Sequence, residues 1–184
     1  NHELERETNG LGYFFEKTAF EIATYYAVNQ FSKTRDKIPK LEDVLKKYSE
    51  VPNLNIEIKF RKIFDISIAL KVARIISECK MEKKILVSSF NPIVLRAIKI
   101  INPKIKTGYL IKSLWAILFL SIAGPNYIHP RADILSAGLI AYAQKRKKEI
   151  NVWTVNTGPA ANYIKKYNVA GIITDKKEVC TILT

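Results

Sequence analysis

The stretch NLNIEIKF, residues 53–60, alternates apolar and polar side chains along its whole length. At a side-chain period of two, Leu54, Ile56, Ile58 and Phe60 fall on one face, and Asn55, Glu57 and Lys59 on the other. The apolar face must pack against something, so the spacing predicts a strand covered on one side by helices. The other face carries an acid and a base, and a buried carboxylate without a partner is strongly unfavourable. Periodicity leaves two plain readings open: Glu57 and Lys59 pair with each other, or the strand lies at an edge with one wet face. The functional reading makes Glu57 an oxygen ligand for a hard divalent cation and Lys59 a positive charge for an anionic substrate.

Working outward, LEDVLKKYS (41–49) reads as a helix before this strand, and IFDISIALKVARIISECKM (63–81) as one after it, with apolar residues three and four apart. KKILVSSF (83–90) is the next strand. NPIVLRAIKII follows as a helix with Asn91 as cap and Pro92 at its first position, where a missing N–H costs nothing. Strands at 106–111 (KTGYLI), 126–130 (NYIHP), 150–156 (INVWTVN) and 170–175 (AGIITD) then alternate with helices near 113–123, 132–147 and 158–168. Such alternation means parallel strands with right-handed crossovers.

Polar residues cluster at or near the carboxyl ends of these strands: Glu57 and Lys59, Ser88 and Ser89, His129, Thr154 and Asn156, Thr174 and Asp175. An open sheet would gather them at one switch point, whereas a ring of strand ends in a (β/α)8 barrel distributes them. A full barrel has eight strands and typically about 250 residues. The expectation is therefore an α/β fold, a (β/α)8 TIM barrel lacking its first two strands and first helix, with residues 1–184 forming a single partial barrel domain.

Composition narrows the partners. With 48% hydrophobic and 26% charged residues, the chain is that of a globular domain. Its 30 Lys and Arg against 17 Asp and Glu, a formal charge of +13, favour anionic partners. No nucleic-acid role is expected, because the basic runs at 145–148 (KRKK) and 175–177 (DKK) lack interleaved aromatic residues and read as solvated helix ends and loops. Weak contact with an anionic membrane surface fits the charge better. Cys79 and Cys180 have no C-x-x-C spacing, so neither zinc nor a disulfide framework is indicated, and a reduced, cytoplasmic setting is the mild inference. LWAILFLSIAG (114–124) is too short to cross about 30 Å of hydrocarbon; a buried helix is its plainer reading and a lipid-facing surface the alternative. The chain opens on Asn1 with no signal-like segment, which raises the expectation of a further upstream segment.

Several motifs, in order, carry a resemblance. IPKLEDVLKKYSEVPNLNIEIK resembles the glycerophosphodiester phosphodiesterases, which show an Ile-Pro-x-Leu-x-x-Val-Leu helix before a strand ending in Ile-Glu-x-Lys. ILVSSFNPIVLRAIKIINPKIKTGYL is similar to their next unit, with Ser89 and Phe90 as its Ser-Phe pair. VWTVN (152–156) and GIITD (171–175) are similar to the family's Val-Trp-Thr-Val-Asn and Gly-Ile-Ile-Thr-Asp. LERETNG (4–10) resembles Leu-x-Arg-Thr-Thr-Asn-Gly, with Glu7 departing from the pattern.

The resemblance implies a (β/α)8 barrel that hydrolyses glycerophosphodiesters, small-molecule substrates, to an alcohol and glycerol 3-phosphate with a divalent cation, Mg²⁺ or Ca²⁺. It implies Glu57 as a metal carboxylate, Lys59 as a catalytic residue near the phosphate, and Trp153 and Phe90 as further substrate contacts. The family's two acid/base histidines, in His-Arg-Gly and His-Asp, have no counterpart here, and its Glu-x-Asp strand is absent. His2 sits one step past the matching position and is not assigned the role. The expectation is a chain that hydrolyses nothing efficiently alone: part of a longer enzyme, or a shortened relative that has lost catalysis and binds phosphate or lipid, with another phosphodiesterase or a phospholipase on the same barrel as the further alternative. For His129 a capping or hydrogen-bonded structural role is expected ahead of substrate contact, and Asp175 is expected to cap the last helix.

Overall fold

The computed structural model describes residues 3–28 and 36–180. Its contacts divide the chain into two compact units, Asn1–Glu50 and Val51–Thr184.

The first unit holds helix α1 (Ala19–Thr24), an antiparallel pair of short strands, β1 (Tyr26–Ala27) and β2 (Asp36–Lys37), and helix α2 (Leu41–Lys47). A capping box starts α1: the Glu21 N–H donates to Thr18 Oγ1 at 3.2 Å, and the Thr18 N–H donates to the Glu21 carboxylate at 2.7 Å. The LERETNG motif folds on itself. Thr8 Oγ1 donates to the Leu4 carbonyl at 2.8 Å, Glu5 accepts from the Gly12 N–H at 2.6 Å, and Asn9 Oδ1 accepts from the Tyr26 N–H at 2.7 Å. His2 lies outside the described residues.

The second unit is a curled sheet of six parallel strands in sequential order: β3 (Leu54–Glu57), β4 (Ile85–Ser89), β5 (Lys106–Ile111), β6 (Tyr127–Pro130), β7 (Glu149–Val152) and β8 (Gly171–Ile172). All six expected strands are present, with the geometry of a half-barrel. Helices α3 (Ser67–Glu78), α4 (Pro92–Ile101), α5 (Leu120–Ala123), α6 (Ala137–Lys145), α7 (Gly158–Lys165) and α8 (Lys177–Cys180) connect and follow them. Asn91 caps α4 as expected, its Oδ1 accepting from the Ile93 N–H at 2.9 Å, with Pro92 in the first turn. The helix expected from 63 starts only at Ser67, because Asp65 Oδ1 takes the Ser67 N–H at 3.0 Å in a local turn.

The apolar core lies between sheet and helices. Tyr109, Ile111, Ile128, Ile150 and Val152 from one face of the sheet pack with Leu95, Leu139, Ala161 and Ile164 from the helices. One expectation is corrected here. The apolar run at 114–124 is a 3-10 helix over Leu114–Phe119 leading into α5, and it buries only Leu120 and Ala123 among its large and small apolar residues, leaving Leu114, Trp115, Leu118, Phe119 and Ile122 exposed. Ala116, Ile117, Leu120 and Ala123 form the side that packs on the core, and because the run is apolar all round its other side is left facing out.

Candidate functional site

Register identifies the sheet's inner face. Glu57 lies level with Ser88, Ser88 with Gly108, Gly108 with Tyr127, Tyr127 with Glu149, and Asn151 with Gly171, so these residues share the face opposite the helices. Halfway up that face stands His129, fully buried. Its ring lies against Gly108, where a Cβ would come within 2.5 Å of Nε2, so the position admits only glycine. Asn151 Nδ2 is 3.3 Å from Nε2, Nδ1 has no partner, and burial pushes the imidazole pKa down to about 4. The ring is therefore neutral at pH 7. His129 is a structural residue of the sheet interior, in agreement with the plainer expectation. Below it, a cavity of about 320 Å³ opens at the amino ends of the strands, lined among others by Asn55, Lys106, Tyr127, Glu149 and Asn151.

The carboxyl ends differ. Phe90, Lys112, Arg131 and Trp153 are the residues directly following β4, β5, β6 and β7. The Phe90 and Trp153 rings meet edge to face at 5.4 Å, and Lys112 Nζ stands 5.3 Å from the Phe90 ring centre. Backbone ties fix the tryptophan: its N–H donates to the Pro130 carbonyl at 3.1 Å, its carbonyl accepts from the Ala132 N–H at 2.6 Å, and its indole Nε1 donates to the His129 carbonyl at 2.6 Å. Arg131 grips Asp133 through two bonds of 2.6 Å, which hold the carboxyl below its usual range and the guanidinium above its own.

At the neighbouring end of β3, Glu57 and Lys59 pair at 4.0 Å, and both are well exposed. The buried, dry setting that would demand compensation for Glu57 is thus corrected. β3 is an edge strand, and water reaches its polar face; both plain readings hold, and such an exposed pair contributes little to stability. Hard divalent cations take several oxygen ligands, and among the described residues no group of three or more His, Cys, Asp or Glu could hold a metal ion. Glu57 alone does not form a cation site.

Other polar strand ends are structural. Ser89 Oγ donates to the Ile58 carbonyl at 2.8 Å and accepts from the Asn91 N–H at 3.1 Å. The Asp175 carboxylate, expected to cap α8, accepts from Asn156 Nδ2 at 3.0 Å, tying the ends of β7 and β8. The residue-by-residue reading missed Lys112 and Arg131. The available signal was position: a cation occupies the first place after β5 and β6, where Phe90 and Trp153 stand after β4 and β7.

Comparison with known proteins bears on this arrangement. A glycerophosphodiester phosphodiesterase from Caldanaerobacter subterraneus subsp. tengcongensis is 29% identical over 180 residues, covering 95% of this chain and 74% of the relative. An Oleispira antarctica phosphodiesterase, solved with the product sn-glycerol-3-phosphate, superposes on the whole chain with a TM-score of 0.88 at 17% identity, over 77% of its own length. A Thermotoga maritima glycerophosphodiester phosphodiesterase does so with a TM-score of 0.73 at 24% identity, again over 77% of its length. The model of the glycerophosphoryl diester phosphodiesterase family matches residues 1–179, nearly the full sequence and every motif from LERETNG to GIITD, and the chain belongs to that family.

Proposed function

We propose that this protein acts on glycerophosphodiesters and that its half-barrel is the substrate-holding part of a (β/α)8 barrel that releases an alcohol and glycerol 3-phosphate. The observation carrying this reading is the cluster at the carboxyl ends of β3, β4, β5 and β7. Two ring faces, Phe90 and Trp153, meet beside the cation Lys112, and Lys59 follows β3, the strand next to β4; in barrels of this kind the carboxyl ends of the strands form the active face. Lys59 opposes the charge that gathers on the phosphoryl oxygens, and Trp153 and Phe90 offer apolar walls to the glycerol carbons. Glu57 would be one carboxylate ligand of a divalent cation, Mg²⁺ or Ca²⁺, whose remaining ligands are not among the described residues.

Hydrolysis adds a water oxygen to phosphorus, breaks the bond from phosphorus to the leaving oxygen, and returns a proton to that oxygen. The sequence holds two histidines, His2 and His129; His129 is buried and neutral, its ring packed against Gly108 and Asn151. This favours a reading in which the proton-transferring pair comes from a further segment. It also supports a second reading, in which the chain binds glycerophosphate groups without cleaving them.

One experiment separates the two. The chain is assayed for glycerophosphocholine and glycerophosphoethanolamine hydrolysis with Mg²⁺ or Ca²⁺, alone and joined to an amino-terminal segment bearing His-Arg-Gly and Glu-x-Asp. The joined protein should hydrolyse, and Lys59→Ala should lower its turnover about a hundredfold or more. Unchanged turnover in Lys59→Ala and Glu57→Ala rejects these roles. Binding of sn-glycerol 3-phosphate without hydrolysis in either form would support the second reading.

A further inference from the structure

A second concave surface lies outside the sheet, on its helix-covered side. Helices α5 and α6 lead into β6 and β7, so their last turns stand at the amino ends of the strands, opposite Phe90 and Trp153. Between them runs a groove of about 580 Å³ with an apolar floor of Ile117, Leu118, Leu120 and the Tyr142 ring. Ile117, Leu120 and Tyr142 are rooted in the core, whereas Leu118 is 69% exposed. The lower end of the groove is cationic. Arg146 and Lys148 form part of its wall, and Gly124, in the left-handed turn that ends α5, leaves that end open, with Arg96 Nη1 3.7 Å from where a Cβ would stand.

Charge at the groove itself says what it holds. The Arg146 guanidinium stacks on Tyr142, its central carbon 3.8 Å from the ring centre, and stacking leaves the N–H groups at the edge of the plane available. Among the described residues neither Arg146 nor Lys148 has an ion pair. Lys148 instead crowds another cation: burial first, and then the Lys148 charge, hold the Lys99 ammonium below its usual range. From Pro92 through Lys148 the sequence has one acid, Asp133, which follows the carboxyl end of β6 and is bound by Arg131; Glu149 belongs to the inner sheet face. The groove therefore lacks the anion that its cations call for. An apolar concavity of roughly 300–1,000 Å³ with a few convergent polar groups is the usual form of a small-molecule site, and a guanidinium fork matches the two oxygens of a carboxylate. We propose that the groove between α5 and α6 binds a single-chain fatty carboxylate, with its head on Arg146 and Lys148 and its chain along Tyr142, Ile117 and Leu118. The inference concerns the outer surface at the amino ends and stands whether or not the carboxyl ends act on glycerophosphodiesters.

The test titrates the full chain calorimetrically with dodecanoate kept below its micelle-forming concentration. Beside it stand acetate, which has the head without the chain, and monododecanoylglycerol, which has the chain without the charge. Dodecanoate should bind saturably at one site per chain, about tenfold or more tightly than either control, and added salt should weaken it. Arg146→Gln with Lys148→Gln should lower the affinity about tenfold or more and Leu118→Ser about threefold. Lys104→Gln, at an exposed amino-end cation outside the groove, should leave it unchanged. The parent protein locates the ligand independently of any variant: a fatty carboxylate carrying a nitroxide near its methyl end should broaden the nuclear magnetic resonances of Ile117, Leu118 and Tyr142 ahead of those of Phe90 and Trp153. Broadening centred on Phe90 and Trp153 overturns the proposal, as does equal affinity for the uncharged glyceride or the absence of saturable binding at low salt. A dimer in sedimentation that Leu118→Ser dissolves would also overturn it, since a second copy would then fill the groove.

Discussion

Two levels of one sheet face contrast in almost every physical respect. At mid-height, His129 is sealed against Gly108, deprived of a partner at Nδ1 and held neutral by burial. At the carboxyl ends of the strands, Lys59, Phe90, Lys112 and Trp153 are half-buried or exposed and carry charge and ring faces into solvent. His129 lies inside a strand, whereas these residues follow the ends of theirs or stand past the edge strand, so position as well as side-chain chemistry separates the two. The lower level can be perturbed only through stability, and the upper chiefly through binding.

The largest effect should come from breaking the lower level. Gly108→Val places a branched side chain where even a Cβ lies 2.5 Å from His129 Nε2, and overpacking of this kind typically costs about 1–3 kcal/mol or more. Chemical denaturation should show a loss at or beyond the top of that range. The double variant Gly108→Val with His129→Ala should recover part of it, because the clashing ring is gone; no recovery would mean that the strand backbone rather than the ring sets the constraint.

Next in size is a pH effect at the same residue. The folded pKa of His129, about 4, lies below the ordinary histidine value of about 6.5, so the unfolded chain binds the proton more tightly. The stability that neutral burial contributes is complete above pH 6.5 and is lost as pH falls towards 4, amounting to at most about 3 kcal/mol. Denaturation midpoints measured across this window should fall with acid in the parent and stay flatter in His129→Asn. Parallel profiles for the two proteins would remove His129 as the cause.

How much of this was legible in the sequence follows the same division. Alternation in NLNIEIKF and the helix start at Asn91-Pro92 are local signals, and both the strand faces and the cap are as expected. The stretch leaves open whether Glu57 is buried or wet, because exposure depends on β3 lying at the edge of the sheet, which is a property of topology and not of the stretch itself. The exposure of the run at 114–124 was hidden for a related reason: apolar composition is the same for a residue facing a core and one facing outward. Burial of His129 could not be read from NYIHP either, since it is Gly108, two strand positions below its register partner Leu110 on the neighbouring strand, that makes room for the ring. Phe90 and Trp153 came from resemblance, and only coordinates join them to Lys112.

That last junction gives the smallest predicted effect and the finest test of the upper level. Lys112 Nζ already faces a ring, Phe90, and remains exposed to water, so its charge is partly screened and its removal should not disturb the fold. If it belongs to the anion-holding group with Lys59, Lys112→Ala should weaken sn-glycerol 3-phosphate binding about three- to tenfold at low salt, with a smaller loss at high salt, and leave the denaturation midpoint unchanged. Lys112→Arg should restore most of the affinity, because guanidinium keeps both the charge and the stacking on Phe90. A midpoint that falls while affinity holds would invert the assignment, making the Lys112–Phe90 contact part of the packing that the lower level exemplifies. Calorimetric titration at two ionic strengths, beside one denaturation curve for each variant, distinguishes these outcomes.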